Sequence, residues 1–316
     1  MLWPIIAALT AACIESGFDP IDDDSPPPRV VVEDEFTQAP LPAVDILFVV
    51  DDTGSMAQEQ ASLAEHFVSL AGALREAGIG WQAGVVTTDM TRADAGWLQG
   101  VPWVITPDLD QVEQRFADAV QVGVDGVAPE AGLAAAIHAL DLSEPGGPNA
   151  GFRRPDALLH VIFVSDADDE SDEWLDGDPV SVFLDAMAAE QERTGQPATA
   201  SAVVGDIPRG CTSVNGDARP GLRYHLVVDG TGGETASICA ADFSDILESL
   251  ADVAIVYLTR FDLRTEPEPE SVRVAVDGVR VDAGWTLETS PPAVVFDEAP
   301  APGVRITVTY VVKVDT

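Results

Sequence analysis

The chain is organised around residues 45–56, which read Asp-Ile-Leu-Phe-Val-Val-Asp-Asp-Thr-Gly-Ser-Met. Residues 46–50 are an unbroken apolar run rich in β-branched side chains, a pattern typical of a strand buried on both faces of a parallel sheet. Asp51, Thr53 and Ser55 follow at alternate positions, and Gly54 allows a sharp turn before a helix begins. Because ligands of open α/β sheets bind at the carboxyl ends of the strands, these three oxygen side chains are candidate ligands of a hard cation such as Mg²⁺.

Strand and helix patterns alternate along residues 43–256. The sequence predicts further strands at residues 81–88, 158–164, 198–204 and 224–228, and an edge strand at 97–105. It predicts helices directly after Ser55 and at residues 108–120, 131–140, 180–192 and 243–253. This order predicts an α/β fold, a doubly wound and mostly parallel sheet flanked by helices.

The opening stretch resembles the metal-ion-dependent adhesion site of von Willebrand factor type A (vWA) domains, whose pattern is Asp-x-Ser-x-Ser at the end of a strand. Asp51, Thr53 and Ser55 stand at the three positions, with Thr in place of the first Ser, and Asp166 matches the distal aspartate of the family. The resemblance implies a Rossmann-like vWA fold and a bound Mg²⁺, with Mn²⁺ or Ca²⁺ as substitutes. It also implies that the protein binds a partner rather than catalysing a reaction, with the partner's Asp or Glu carboxylate completing the metal shell.

One position departs from the family pattern. The loop at residues 123–130 should supply a Thr hydroxyl, but the best-matching residue is Val124, which has no donor oxygen. Asp125 is therefore the candidate substitute ligand, and Asp89 and Asp168 are candidate contacts around the metal or its ligand. The alternative is a vWA-fold scaffold whose degenerate site binds a partner without metal.

Two enzyme families share letters with this stretch. Residues 52–55 read Asp-Thr-Gly-Ser, the signature of aspartic proteases, and residues 227–232 echo it with an inserted Gly. A hydrolase using Asp52 is the less favoured alternative, because two-lobed aspartic proteases are nearly all β whereas this chain has several helical periodicities. A dehalogenase-type phosphatase would need an Asp where Thr53 stands and a catalytic lysine, and the only lysine is Lys313, near the end of the chain.

The composition limits the classes of partner. The 316 residues carry a net charge of −38, with a sequence pI near 4.1. Nucleic acid and anionic lipid surfaces would be repelled, so we expect no nucleic-acid partner and membrane contact through a lipid anchor alone.

The first 42 residues predict export. Residues 1–12 form a short apolar signal peptide that ends in small residues, and Cys13 is the candidate lipidation site. Residues 13–42 are rich in Asp, Glu and Pro and predict a disordered tether. The whole arrangement resembles surface or periplasmic vWA lipoproteins of Gram-negative bacteria. By that resemblance, Ile14 after Cys13 favours anchoring at the outer membrane of the cell envelope.

Two features remain in the second half of the chain. Cys211 and Cys239 are either a disulfide pair, which an oxidising compartment would allow, or two buried thiols. Residues 257–316 alternate apolar and polar side chains around the hairpin turn Asp277-Gly278, which predicts a small β-sandwich-like module.

Overall fold

The structure, a computed structural model, describes residues 29–41, 43–213 and 216–313. The predicted signal peptide and the lipidation site at Cys13 lie outside these residues. The strands, in chain order, are β1 (Arg29–Thr37), β2 (Ala43–Val50), β3 (Gly80–Thr87), β4 (Leu158–Ser165), β5 (Ala198–Val204), β6 (Cys211–Thr212), β7 (Asp217–Ala218), β8 (Thr235–Ser237), β9 (Arg260–Asp262), β10 (Arg273–Val276), β11 (Val279–Val281), β12 (Trp285–Thr289), β13 (Pro292–Phe296) and β14 (Arg305–Lys313). The helices are α1 (Ala57–Glu76), α2 (Val112–Val120), α3 (Gly132–Asp141), α4 (Pro179–Thr194), α5 (Leu222–Thr231) and α6 (Ser244–Ala254).

A five-stranded parallel sheet forms the first half of the fold, in the order β3-β2-β4-β5-β8. The chain places β3 on one side of β2 and β4 on the other, so the order reverses between β2 and β4. Every residue of β4 is buried, and so is every residue of β2 except Ala43. The predicted central strands are confirmed, and the switch point of the sheet lies between the carboxyl ends of β2 and β4.

Helices cover both faces of this sheet. One face packs against α1, α2 and α6, and the other against α3, α4 and α5. The predicted apolar stripe of α1 is confirmed, because Leu63, Phe67, Leu70 and Leu74 are all fully buried. The helix ends where Gly78 adopts a φ of 75°, a conformation that glycine adopts without strain.

Two predicted strands of this half are wrong. Residues 224–228 lie inside α5, where Tyr224, Val227 and Val228 are buried at helical spacing. A five-residue apolar run does not distinguish a strand from a buried helical turn, and β8 takes the place in the sheet instead. Residues 97–105 form no strand beyond a single bridge between Ile105 and Ala83 of the edge strand β3.

Antiparallel sheets make up the C-terminal region, as its alternating pattern predicts. One sheet has the order β1-β14-β10-β11 and the other β12-β13-β9. Their apolar side chains form a core of their own, which includes Phe261, Val294, Ile306 and Tyr310.

The strand β1 corrects the prediction of a tether at residues 29–37, whereas residues 13–28 of that predicted tether lie outside the described residues. All nine residues of Arg29–Thr37 pair with β14, from Arg29 opposite Lys313 to Thr37 opposite Arg305. Composition favoured disorder because the segment is acidic, but its valines and Phe36 gain a partner strand 268 to 284 residues further along the chain. The structure therefore joins this segment to the C-terminal sheets.

Within the part of the chain that the structure describes, no helix combines the length and the apolarity needed to cross a bilayer.

Candidate functional site

Asp51 is the centre of the candidate site. It follows β2 directly and is fully buried. Its Oδ1 accepts hydrogen bonds from the backbone N–H of Thr53 (2.8 Å) and from the Thr53 hydroxyl (2.7 Å). Its Oδ2 accepts a hydrogen bond from the Ser165 hydroxyl at the end of β4, also at 2.7 Å. These bonds tie the ends of the two strands at the switch point to one carboxylate.

Ser55 and Asp166 meet beside Asp51. Both side chains line one pocket. Burial raises the pKa of Asp166, the hydrogen bond from Ser55 lowers it, and the charge of Asp51 raises it again, so the net shift is upward. The structure thus brings together the four residues Asp51, Thr53, Ser55 and Asp166 from two loops more than 100 residues apart.

Two further acids reach this place, and sequence reasoning missed both. Glu59, in the first turn of α1, lines one pocket with Ser55 and Asp166. Glu130, just before α3, is buried. Burial is the main cause that raises its pKa, and the charge of Asp51 raises it further. In the described residues, the Oε2 atoms of Glu59 and Glu130 are buried without a hydrogen-bond partner. The spacing of Glu59 four residues after Ser55 was the available signal, because it places both on one face of the helix start.

The loop at residues 123–130 does pack against the turn after β2. The side-chain amide of Gln60 donates to the backbone oxygens of Asp51 (2.9 Å) and Gly123 (2.8 Å). The N–H of Gly126 donates to the backbone oxygen of Asp52 at 2.8 Å. In this loop Val124 and Asp125 are both exposed. The buried acid that it delivers is Glu130.

A substitution at Gly126 tests how closely the loop at residues 123–130 packs against the turn after β2. A Cβ atom at this position would stand 2.3 Å from Asp52 Oδ1 and 2.7 Å from the Asp52 backbone oxygen. We expect Gly126→Ala to lower the free energy of unfolding by about 1–3 kcal/mol, because the loop must move away from the turn. Urea denaturation measures this value. The control is Gly72→Ala inside α1, where the added methyl group meets nothing closer than 3.9 Å and should be neutral or stabilising. Equal effects of the two substitutions would contradict the close approach.

Asp89 and Asp168 make contacts of other kinds. Asp89 Oδ1 accepts hydrogen bonds from the N–H (2.9 Å) and the hydroxyl (2.6 Å) of Thr91. Asp168 Oδ1 accepts the backbone N–H of Arg223 at the start of α5, at 2.9 Å. Asp89 lies at the margin of the site, whereas Asp168 holds the beginning of a helix.

Asp52 is a buried acid next to the site. Burial and the charge of Asp89 raise its pKa to about 6, although Arg92 opposes the shift with Nη1 at 3.8 Å from Asp52 Oδ2. Both of its carboxylate oxygens lack a hydrogen-bond partner among the described residues. The second half of the protease-like pattern, residues 227–232, lies at the end of α5 and not in a strand–turn arrangement.

A disulfide closes one side of the site. Cys211 and Cys239 are joined, with their Cα atoms 6.1 Å apart, so the predicted pairing is confirmed. The bond ties the short ribbon β6–β7 to the segment before α6, and Asp217, Ala218 and Cys239 line the pocket that holds Glu59. A structural disulfide belongs to an oxidising environment outside the cytosol.

The donor atoms of the site fit a hard divalent cation in their chemistry. They are carboxylate and hydroxyl oxygens, which Mg²⁺ and Ca²⁺ prefer. The buried Oε2 of Glu59 has no hydrogen-bond partner among the described residues, and that of Glu130 lies 3.9 Å from Arg219 Nη2. Across residues 29–41, 43–213 and 216–313, no three acidic, His or Cys side chains are grouped closely enough to hold a metal by themselves. Hydroxyl groups and water would therefore have to complete any coordination shell.

Comparison with known proteins gives similarity to solved structures alone. No protein-family model matches the chain, and no curated protein matches it in sequence. Among the solved structures, the pilus adhesin SpaC from Lactobacillus rhamnosus GG has a TM-score of 0.42 at 13% identity, over 92% of this chain and 42% of that protein. Proximal thread matrix protein 1 from the mussel byssus has a TM-score of 0.41 at 17% identity, over 73% of this chain and 50% of that protein. The chain thus spans half the length of these structures or less.

Proposed function

We propose that this protein is an exported binding protein of the cell envelope, which captures a partner carboxylate through a divalent cation held at the switch point of the parallel sheet. The observation that carries the proposal is the meeting of Asp51, Thr53, Ser55 and Asp166 at the carboxyl ends of β2 and β4. These are the residues at which the sequence resembles the vWA adhesion site. The lipid anchor at Cys13 and the outer-membrane location belong to the same proposal.

The residues have separate roles in this scheme. Thr53 and Ser55 present hydroxyl oxygens toward the cation, and both are at least partly accessible. Asp51 and Asp166 supply the negative charge, directly or through water, and Asp51 also fixes the turn by its bonds to Thr53 and Ser165. An ion bound partly by neutral hydroxyls retains uncompensated positive charge, so an Asp or Glu of the partner completes its shell.

The proposal is tested by isothermal titration calorimetry of residues 29–316 with Mg²⁺, Mn²⁺ and Ca²⁺. We expect Asp51→Ala to weaken the binding of each ion by about tenfold or more, because it removes the central carboxylate. The acidic surface binds cations nonspecifically, so the matched control is Asp185→Ala on the exposed side of α4. Equal titrations of wild type and Asp51→Ala would exclude the metal role and leave a scaffold that binds without metal.

Partner capture gives the second test. Immobilised protein is incubated with an envelope extract in Mg²⁺ or in a chelator, and the eluted proteins are compared. Under the proposal, a protein retained by the wild type in Mg²⁺ is lost both in chelator and with Asp51→Ala. Retention that ignores both changes would contradict a metal-dependent mechanism.

A further inference from the structure

Glu59 is a buried acid, and one of its two carboxylate oxygens has no hydrogen-bond partner among the described residues. It lies in the first turn of α1 and is 7% exposed. The Oε2 atom has no hydrogen-bond partner within the described part of the chain. A buried carboxylate oxygen in this condition costs free energy unless a ligand compensates it.

The pocket around Glu59 is lined by oxygen-bearing side chains. Ser55 and Asp166 line it from the site, and Asp217 of β7 lines it from the ribbon that the disulfide holds. No Lys, Arg or His side chain is among the described residues that line it. Glu59, Asp166 and Asp217 therefore place three carboxylates along one pocket. Arg219 lies outside this lining and pairs with Glu130 at 3.9 Å and Glu170 at 3.8 Å.

We propose that Glu59 is a further ligand of the cation at the proposed site, beside Ser55 and Asp166, and that its carboxylate makes Ca²⁺ the preferred ion. This inference rests on the proposed function, since it concerns the same ion. Mg²⁺ keeps several waters and uses one or two carboxylates, whereas Ca²⁺ accepts six to eight oxygens in flexible geometry. Glu59 adds negative charge, directly or through water, to a shell that hydroxyl groups and water otherwise complete, and added negative charge with flexible oxygen ligands favours the larger ion. The partner then approaches from the side of Thr53, because the ribbon β6–β7 covers the side of Glu59.

The test compares Ca²⁺ and Mg²⁺ binding by calorimetry in residues 29–316 and in the variant Glu59→Gln, which keeps the shape and removes the charge. We expect Ca²⁺ affinity to fall by about tenfold and Mg²⁺ affinity by less than about threefold, so that the preference for Ca²⁺ is lost. The control Glu65→Gln changes an exposed acid of the same helix and should alter neither affinity.

Thermal unfolding separates a ligand from a packing residue. Without added cation, Glu59→Gln should raise Tm by about 2–4 °C, because it removes a buried charge beside two like charges. With Ca²⁺, the wild type should gain stability and the variant should gain much less. A lower Tm with unchanged Ca²⁺ affinity would overturn the inference, since Glu59 would then serve packing alone.

The same data distinguish the two proposals. If Asp51→Ala weakens cation binding and Glu59→Gln does not, the inference fails and the proposed function stands. If neither substitution changes binding, or if no specific binding occurs, both fail. Binding that both substitutions weaken, with Ca²⁺ preferred in the wild type alone, supports both.

Discussion

Replacing Phe67 with alanine is expected to lower the free energy of unfolding by about 3–5 kcal/mol. The ring is fully buried between α1 and the sheet. It stacks on Phe116 of α2, with centroids 3.7 Å apart, and meets Trp81 of β3 edge to face at 5.6 Å. Its removal leaves a cavity shared by three elements, and α1, which carries Glu59, would lose one of its four fully buried apolar side chains.

Guanidinium chloride denaturation followed by tryptophan fluorescence measures the loss. The control is Val68→Ala, the next residue of the same helix, which is 53% exposed and should change stability by less than about 0.5 kcal/mol. A change in Phe67→Ala as small as in the control would mean that the aromatic cluster is not packed as described.

Replacing Asp34 of β1 with alanine is expected to lower stability by about 2–4 kcal/mol. The Asp34 carboxylate is buried and accepts hydrogen bonds from the Tyr310 hydroxyl (2.8 Å), from the Arg264 backbone N–H (3.1 Å) and from the Arg264 guanidinium. The substitution leaves the buried Tyr310 hydroxyl with a single long contact, to Thr265 at 3.3 Å. The effect should appear in the unfolding of the C-terminal sheets, measured by amide hydrogen exchange along β1 and β14.

The same carboxylate sets a dependence on pH. Burial raises the pKa of Asp34, but the bonds from Arg264 and Tyr310 outweigh it, so the folded pKa lies below the ordinary value of 3.8. A lowered pKa means that the contribution is fully present above pH 4 or so and is lost as the pH falls through the folded pKa. The stability difference between wild type and Asp34→Ala should therefore shrink below about pH 4. The neighbouring and exposed Glu35→Ala should show little difference at neutral pH.

The central strands could be predicted because their signal is local. The runs of apolar and small residues at 46–50, 158–164 and 198–204 are buried on both faces, so each strand can be recognised without knowing its partner strand. The predictions for residues 224–228 and 29–37 were wrong for different reasons. The first is a short apolar run that suits a helix as well as a strand, and the second is an acidic segment that is ordered only by pairing with β14.

The motif residues of the candidate site could be predicted from the sequence, but the path of the neighbouring loop could not. Asp51, Thr53, Ser55 and Asp166 follow strand ends, so the topology of a parallel sheet brings them together. The loop at residues 123–130 could not be aligned by position, because its path depends on the bonds from Gln60 and Gly126. That path leaves Asp125 exposed and buries Glu130, an acid that the pattern did not indicate.

The pairing of Arg29 with Lys313 brings the two ends of the described chain to adjacent strands, about 5 Å apart. A linker of a few residues could join them. A circular permutant opened at an exposed loop would then keep every strand of the parallel sheet and of the antiparallel sheets. An attachment made before Arg29 and a reporter domain fused after Lys313 would therefore lie on the same side of the protein.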